Sequence, residues 1–409
     1  MILLIYDPDY VSYSIEVFRK NLVPELASRV DTLIWIAPQE RHKDILAFMP
    51  SDESFLLLGL NFSKRNPFRW AASLFRRTYS KFNASDSFSY QFIQKSFSSL
   101  YLDSVIRRFK VDQVFCLAFM NQVPPSGTVS TSGILCDVSP DLPSNCLKNI
   151  ENWIYRSSSI FCISKFTASQ LPHHLPAEKT VSLHVTPICP GIVHQTYPAL
   201  IPSSSTDTAP LEPALVRLRC FMPANLQQRK GHHILLEAAC HVVEKGFPLS
   251  LTFVGGSTDL LAKLRAPSSS NEEHLLRLVS QAESLGVHIT AHGHVDENLF
   301  SQLLSSADVV VFPSLYEGFG LPVSESIRAG IPVITSDLPP IREQLDLFDC
   351  HHRACLLPPG DVSALAETLC RYSQGDLPPR IDPSFLTPNF QRWTWSNVAD
   401  QIIETLSQE

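Results

Sequence analysis

The second half of the chain alternates short runs of apolar and β-branched residues with longer amphipathic stretches, and few folds other than layered α/β accommodate that rhythm. Strands are predicted near Arg219–Met222 and at Leu249–Val254, His288–Thr290, Val309–Phe312 and Pro332–Thr335, with helices between them at about Gly231–Glu244, Glu272–Ser284 and Glu297–Ser305. In the first half the clearest strands are Ile2–Tyr6, Thr32–Ile36, Gln113–Leu117, Gly133–Cys136 and Ile160–Ile163. Residues 61–100 are rich in Ser, Phe and Arg and give no clear period. At 409 residues the chain is too long for one ordinary core, so two domains are expected. Residues 200–213 carry three prolines and a Ser/Thr cluster without an apolar period, which marks the boundary. No internal repeat is visible.

The net charge of −7 argues against a nucleic-acid partner, which would draw a basic excess onto one domain. Lys64, Arg65, Arg69, Arg76 and Arg77 do cluster among aromatics. A solvated face is the favoured reading, and peripheral membrane contact with anionic lipid is the sharper alternative. No apolar run reaches the roughly 18 residues that span a bilayer. The opening Met-Ile-Leu-Leu-Ile-Tyr-Asp lacks a basic leader and reads as a strand rather than a signal peptide. The ten cysteines form no CxxC pair, and several sit in apolar runs, so free thiols in a reducing cytoplasm are expected.

The chemistry concentrates between Phe312 and Ser336. A buried strand ends at Pro313, followed by the glycine loop Glu317-Gly318-Phe319-Gly320. Pro322 suits a first helical turn, where its missing N–H is not needed, and Gly330 caps the helix near Ala329. A strand, a glycine loop and a helix N-terminus at the carboxyl edge of a parallel sheet make a ready anion site. Glu317 and Glu325 frame it. A carboxylate beside a phosphate is useful where it accepts two hydrogen bonds from a sugar diol. The alternative is that Glu325 merely favours the helix dipole, by about 0.3–1 kcal/mol.

This stretch closely resembles the Glu-x7-Glu motif of retaining glycosyltransferase family 4, in a mannosyltransferase-like form, Glu-Gly-Phe-Gly-Leu-Pro-x-x-Glu. The resemblance implies a GT-B architecture: two Rossmann-like domains facing across a cleft, with a C-terminal helix crossing back to the first. The expected division is an acceptor-side domain over 1–199, a linker over 200–213, a nucleotide-sugar domain over 214–384 and a returning segment over 385–409. It also implies that Glu317 lies at the transferred sugar, that Glu325 holds the ribose, and that the Gly318, Phe319, Gly320 and Leu321 backbone holds sugar and phosphate.

Ala224-Asn-Leu-Gln-Gln-Arg-Lys-Gly231 is similar to the family's phosphate-binding Lys-Gly segment, with Lys230 at the lysine position. The commonest form has an arginine where this chain has Asn225, and Arg229 is the candidate to replace it. Such a pair can clamp a diphosphate without a metal. Phe253-Val-Gly-Gly256 looks like the family's strand-Gly-Gly turn, and Gly293 and Val295 match its Gly-x-Val segment near the nucleobase. Leu135-Cys136-Asp137 stands where the family often has His-Asp, so Asp137 is a candidate to orient the acceptor, while a thiol is a poor substitute for imidazole near pH 7. Ser164-Lys165-Phe166-Thr167, Pro190-Gly191-Ile192 and Trp395-Ser-Asn-Val-Ala399 are fainter matches.

The expected reaction is metal-independent transfer of a hexose from a nucleotide-diphosphate sugar, GDP-mannose-like or UDP-linked, to a saccharide or lipid-linked hydroxyl. No cofactor beyond this co-substrate is implied, and a magnesium requirement is not expected. Zinc at Cys350-His351-His352-x-x-Cys355, or at His292 and His294, lacks a second ligand pair placed by spacing. Two rival readings remain: a glycosyltransferase-like subunit that binds without turnover, motivated by Asn225 and Cys136, and a dinucleotide oxidoreductase. The second fails because no strand is followed by Gly-x-Gly-x-x-Gly with a later acidic residue.

Overall fold

The computed structural model describes residues 1–7, 13–38, 41–49, 54–60, 101–119, 124–125, 129–139, 142, 144–171, 182–189, 217–262 and 266–409. The basic cluster from Lys64 to Arg77, the Pro190-Gly191-Ile192 turn and the 200–213 linker lie outside these residues. The chain divides into two compact units, one formed by Met1–Ile188 with Thr394–Glu409, the other by Cys189–Trp393. Residues 385–393 group with the second unit in this division.

The first unit is built on a parallel sheet of seven strands: β1 (Ile2–Tyr6), β2 (Thr32–Pro38), β3 (Phe55–Leu60), β4 (Gln113–Cys116), β5 (Ser130–Leu135), β6 (Ser159–Cys162) and β7 (Ser182–Val185), in the order β3-β2-β1-β4-β5-β6-β7. Apolar runs such as Leu3–Tyr6 form its centre because a sheet covered on both faces leaves no strand face for water. Phe119 stacks on Trp153 at 5.5 Å on one side of the sheet. The Trp395–Leu406 helix belongs to this unit. Its Trp395 ring meets Phe18 edge-on at 6.0 Å, and Asp400 takes the Arg29 guanidinium at 2.6 Å.

The second unit carries six parallel strands: β8 (Leu218–Pro223), β9 (Leu249–Val254), β10 (His288–Ala291), β11 (Val309–Phe312), β12 (Val333–Ser336) and β13 (Ala354–Leu357), in the order β10-β9-β8-β11-β12-β13. The strand order reverses between β8 and β11, which pair with Val309 opposite Cys220. At such a reversal the two adjacent strands send their connections to opposite faces, so a crevice opens at their carboxyl ends.

The expected strands form within a few residues of their predicted bounds. β3, β7 and β13 were not anticipated. β7 is an exposed edge strand without a continuous apolar run, and β13, Ala-Cys-Leu-Leu, is a run too short for periodicity to tell a strand from a helical segment.

Candidate functional site

Two loops meet at the reversal point of the second sheet. One leaves β8 and runs through Asn225 to Gly231; the other leaves β11 and runs through Pro313 to Gly320. One main-chain bond and one side-chain bond hold them together: Leu315 N–H donates to Arg229 O at 2.7 Å, and Arg229 Nη1 donates to Tyr316 O at 3.0 Å. Gly231 sits at φ +76°, and a Cβ there would lie 2.1 Å from Pro313 O. Only glycine allows this left-handed turn and this approach together.

The result is an ion pair at the crevice floor. Lys230 Nζ stands 2.6 Å from Glu317 Oε1, and Arg229 Nη1 lies 3.8 Å from Glu317 Oε2. The Glu317 side chain is 6% exposed, Lys230 13% and Arg229 17%. The Lys230 ammonium also lies 5.3 Å from the centre of the Phe312 ring. So Glu317, Lys230 and Arg229, chosen from sequence, are brought into one group.

The second loop enters the Leu321–Arg328 helix through Gly320, which is left-handed at φ +86° and makes no side-chain cap. Pro322 lies in the first turn as expected, and Glu325 is buried on the helix at 4% exposure. The helix ends in a Schellman-type turn, with Ile331 N–H donating to Ser326 O at 3.0 Å and Gly330 N–H to Ile327 O at 2.8 Å. Two amides of the helix start are already occupied: Val323 N–H donates to Gly320 O at 3.0 Å and Ser324 N–H to Gln344 Oε1 at 3.1 Å. Gln344 had no place in the sequence argument. Its only signal is a carboxamide on the apolar stripe Ile341, Leu345, Phe348 of the Pro339–Phe348 helix.

Asn225 does not do what an arginine would do. Its Oδ1 accepts from Gly256 N–H at 2.7 Å, and Leu226 N–H donates to Gly256 O at 2.8 Å, so it ties the β8 loop to the Gly-Gly turn after β9. Gly293 is linked to the same turn: it donates to Thr258 Oγ1 at 3.0 Å, and its carbonyl accepts from Gly255 N–H at 2.8 Å. Gly293 is buried and Val295 half-buried at the end of β10. Thr258, fully buried, was also not foreseen.

Asp137 lies in the first unit, just beyond β5, and is half-buried. Burial pushes the neighbouring Cys136 thiol well above its ordinary range, with the Asp137 charge adding to the effect. A thiol held protonated in this way cannot act as a base near neutral pH. Asp7, in the one Asp-x-Asp pair of the sequence, is taken by Arg19 through Nη2 at 2.6 Å and Nε at 2.7 Å. Among the described residues no group of three or more His, Cys, Asp or Glu side chains is placed to hold a metal. Cys350 Sγ instead donates to Phe348 O at 2.9 Å, and His351 Nε2 lies 2.6 Å from Asp346.

Residues 216–378 match the glycosyl transferases group 1 family. A phosphatidyl-myo-inositol mannosyltransferase of Mycobacterium leprae is 32% identical over 192 residues, 47% of this chain and 46% of that protein. An O-antigen chain mannosyltransferase B of Escherichia coli is 28% identical over 111 residues, 27% of this chain and 28% of that one. The matched region thus spans less than half the length of these curated relatives. Among solved structures, sucrose-phosphate synthase from Thermosynechococcus elongatus covers 100% of this chain and 98% of its own, with a TM-score of 0.65 at 15% identity. Anabaena HepE in complex with UDP-glucose covers 100% and 99%, with a TM-score of 0.61 at 14% identity. At such identities the likeness speaks for the fold, and the chain has the GT-B pair of Rossmann-like domains.

Proposed function

We propose that this protein is a retaining glycosyltransferase that moves a hexose from a nucleotide-diphosphate sugar to a hydroxyl acceptor without a metal. The observation that carries the reading is the Lys230–Glu317 pair, set at the reversal point of the β8–β11 sheet beside the Gly320 helix start. An ammonium and main-chain amides there suit a diphosphate, and an acid fixed beside them suits a sugar hydroxyl.

In this reading the bond from the anomeric carbon to the diphosphate oxygen breaks, and a bond to the acceptor oxygen forms on the same face. The acceptor proton passes to a donor phosphate oxygen, so the missing histidine at Cys136 is tolerated. Lys230, Arg229 and the Leu321 helix start balance the charge growing on the leaving diphosphate. Glu317 orients the sugar, Glu325 accepts from the ribose diol, and the Gly293–Val295 segment lies at the base. Asp137 orients the acceptor. Mannose is the expected hexose, since two relatives are named mannosyltransferases. A lipid-linked acceptor, as in the name of the mycobacterial relative, would bring the protein to the membrane surface from a reducing cytoplasm. No described helix is long and apolar enough to cross a membrane.

Thermal-shift screening against GDP-, UDP-, ADP- and dTDP-sugars tests this directly. A ligand at 100 times its Kd adds about 2.7 kcal/mol of stability. GDP-mannose is expected to raise the melting temperature most, and a flat response to all four classes would end the reading. A second reading, a binding subunit without turnover, is favoured by Asn225 and Cys136. Hydrolysis of the bound donor by the purified protein would exclude it.

A further inference from the structure

The side chain of Gln344 spends all its hydrogen-bonding groups in the Phe319–Ser324 loop. It is 1% exposed on the Pro339–Phe348 helix, and it reaches back to the β11 loop. Its Nε2 donates to Phe319 O at 2.5 Å and to Gly320 O at 3.3 Å, while its Oε1 accepts from Ser324 N–H at 3.1 Å. A carboxamide has two N–H donors and one carbonyl, and each faces the loop. The neighbouring Ile341 presses on the same turn, since a Cβ on Gly320 would lie 2.4 Å from Ile341 Cδ1.

Each carbonyl that Gln344 captures shares its peptide unit with the N–H of the following residue, which points the opposite way. Fixing the oxygen of a planar peptide fixes the direction of the next N–H. Holding Phe319 O therefore aims the Gly320 amide, and holding Gly320 O aims the Leu321 amide. We propose that Gln344 is a positioning residue that sets these amides toward the bound diphosphate and sugar. It never touches the ligand, and the inference rests on the donor-site reading above. The same bonds leave the glycine loop with a preset shape before any ligand arrives, which reduces the ordering cost of binding.

The test uses the full chain, with UDP and GDP as probes. Gln344→Met keeps the volume and removes all three bonds. Gln344→Glu keeps the acceptor for Ser324 N–H, and offers a donor to Phe319 O only while the carboxyl is protonated. The Met variant is expected to bind the better nucleotide about tenfold more weakly, and its 318–324 amides to exchange faster with solvent. In the Glu variant, affinity is expected to fall as pH rises from 6 to 9 by more than in the wild type, a dependence that loss of packing alone would not produce. Unchanged exchange over 318–324 in the Met variant would overturn the proposal, whatever the nucleotide result. Wild-type protein that binds neither UDP nor GDP would instead sink the donor-site reading, and the exchange measurement would still decide whether Gln344 orders the loop.

Discussion

Lys230 and Glu317 lie 87 residues apart in the chain, yet Nζ and Oε1 meet at 2.6 Å because β8 and β11 are neighbours in the sheet. Both side chains are largely out of water, so the pair is held by mutual attraction against a large desolvation cost. Lys230→Ala is expected to cut turnover by about 10²–10³ and to lower stability, with Arg229 at 3.8 Å left as the nearest cation to the Glu317 carboxylate. Replacing both, as Lys230→Met with Glu317→Leu, should restore most of the melting temperature without restoring nucleotide binding. A double mutant that binds UDP or GDP like the wild type would remove this pair from the site.

Glu325 is expected to weaken nucleotide binding when changed to Ala, by about tenfold to a hundredfold, since hydrogen bonds to a charged group contribute about 1.5–3 kcal/mol. Calorimetry with a nucleoside diphosphate and its 2′-deoxy form separates the ribose role from a general effect. The wild type should prefer the ribonucleotide, and Glu325→Ala should lose that preference. An unchanged preference would place the ribose elsewhere.

Gly231→Ala should be strongly destabilising, by about 2 kcal/mol or more, because the new Cβ must avoid Pro313 O, a main-chain atom that cannot swing aside. Gly246→Ala is the control. Its φ of +87° carries similar strain, but nothing lies within 4 Å of its Cβ. The loss there should be about 1 kcal/mol, and equal losses at the two sites, read from denaturant midpoints, would refute the close-approach argument.

His232 begins the helix after Gly231, is 1% exposed and packs 5.7 Å from the Phe253 ring. Burial lowers its pKa to about 3; Lys230 and His233 push it the same way, while the Ala224 main chain opposes the shift. The native state therefore holds a neutral ring where the unfolded chain, with an ordinary value of about 6.5, takes up a proton. Stability should fall as pH drops from about 6.5 toward 3, by up to about 1.4 kcal/mol per pH unit from this group. His232→Leu should flatten that part of the profile in urea titrations at pH 4 and pH 7. Parallel profiles for the two proteins would show that the ring is not held neutral.

The two carboxylates, the lysine and the helix start were legible because their spacing is local: each lies within a single loop, and the strand-loop-helix pattern is written in consecutive residues. What brings Lys230 to Glu317 is strand order, which no periodicity carries. Gln344 and Thr258 were missed for a related reason. Each acts across the fold on main-chain atoms, and a main-chain partner leaves no trace in the sequence of the residues it belongs to. Asn225 stands where the family's commonest form has an arginine, and its carboxamide ties two turns together, a role set by geometry rather than charge. β7 escaped because an edge strand needs little hydrophobicity to pair on one side, and β13 because four apolar residues are too few to show a period.

The helix from Trp395 to Leu406 counts with Met1–Ile188 although the whole of the other unit lies before it in the sequence. The inner unit is thus a guest within its host, joined to it by two covalent crossings, and a protease that nicks one of them leaves the other holding. Synthesis imposes an order as well. Residues 189–393 are all available while the host still lacks the helix that brings Trp395 to Phe18, so on the ribosome the interrupted unit is the last to be completed.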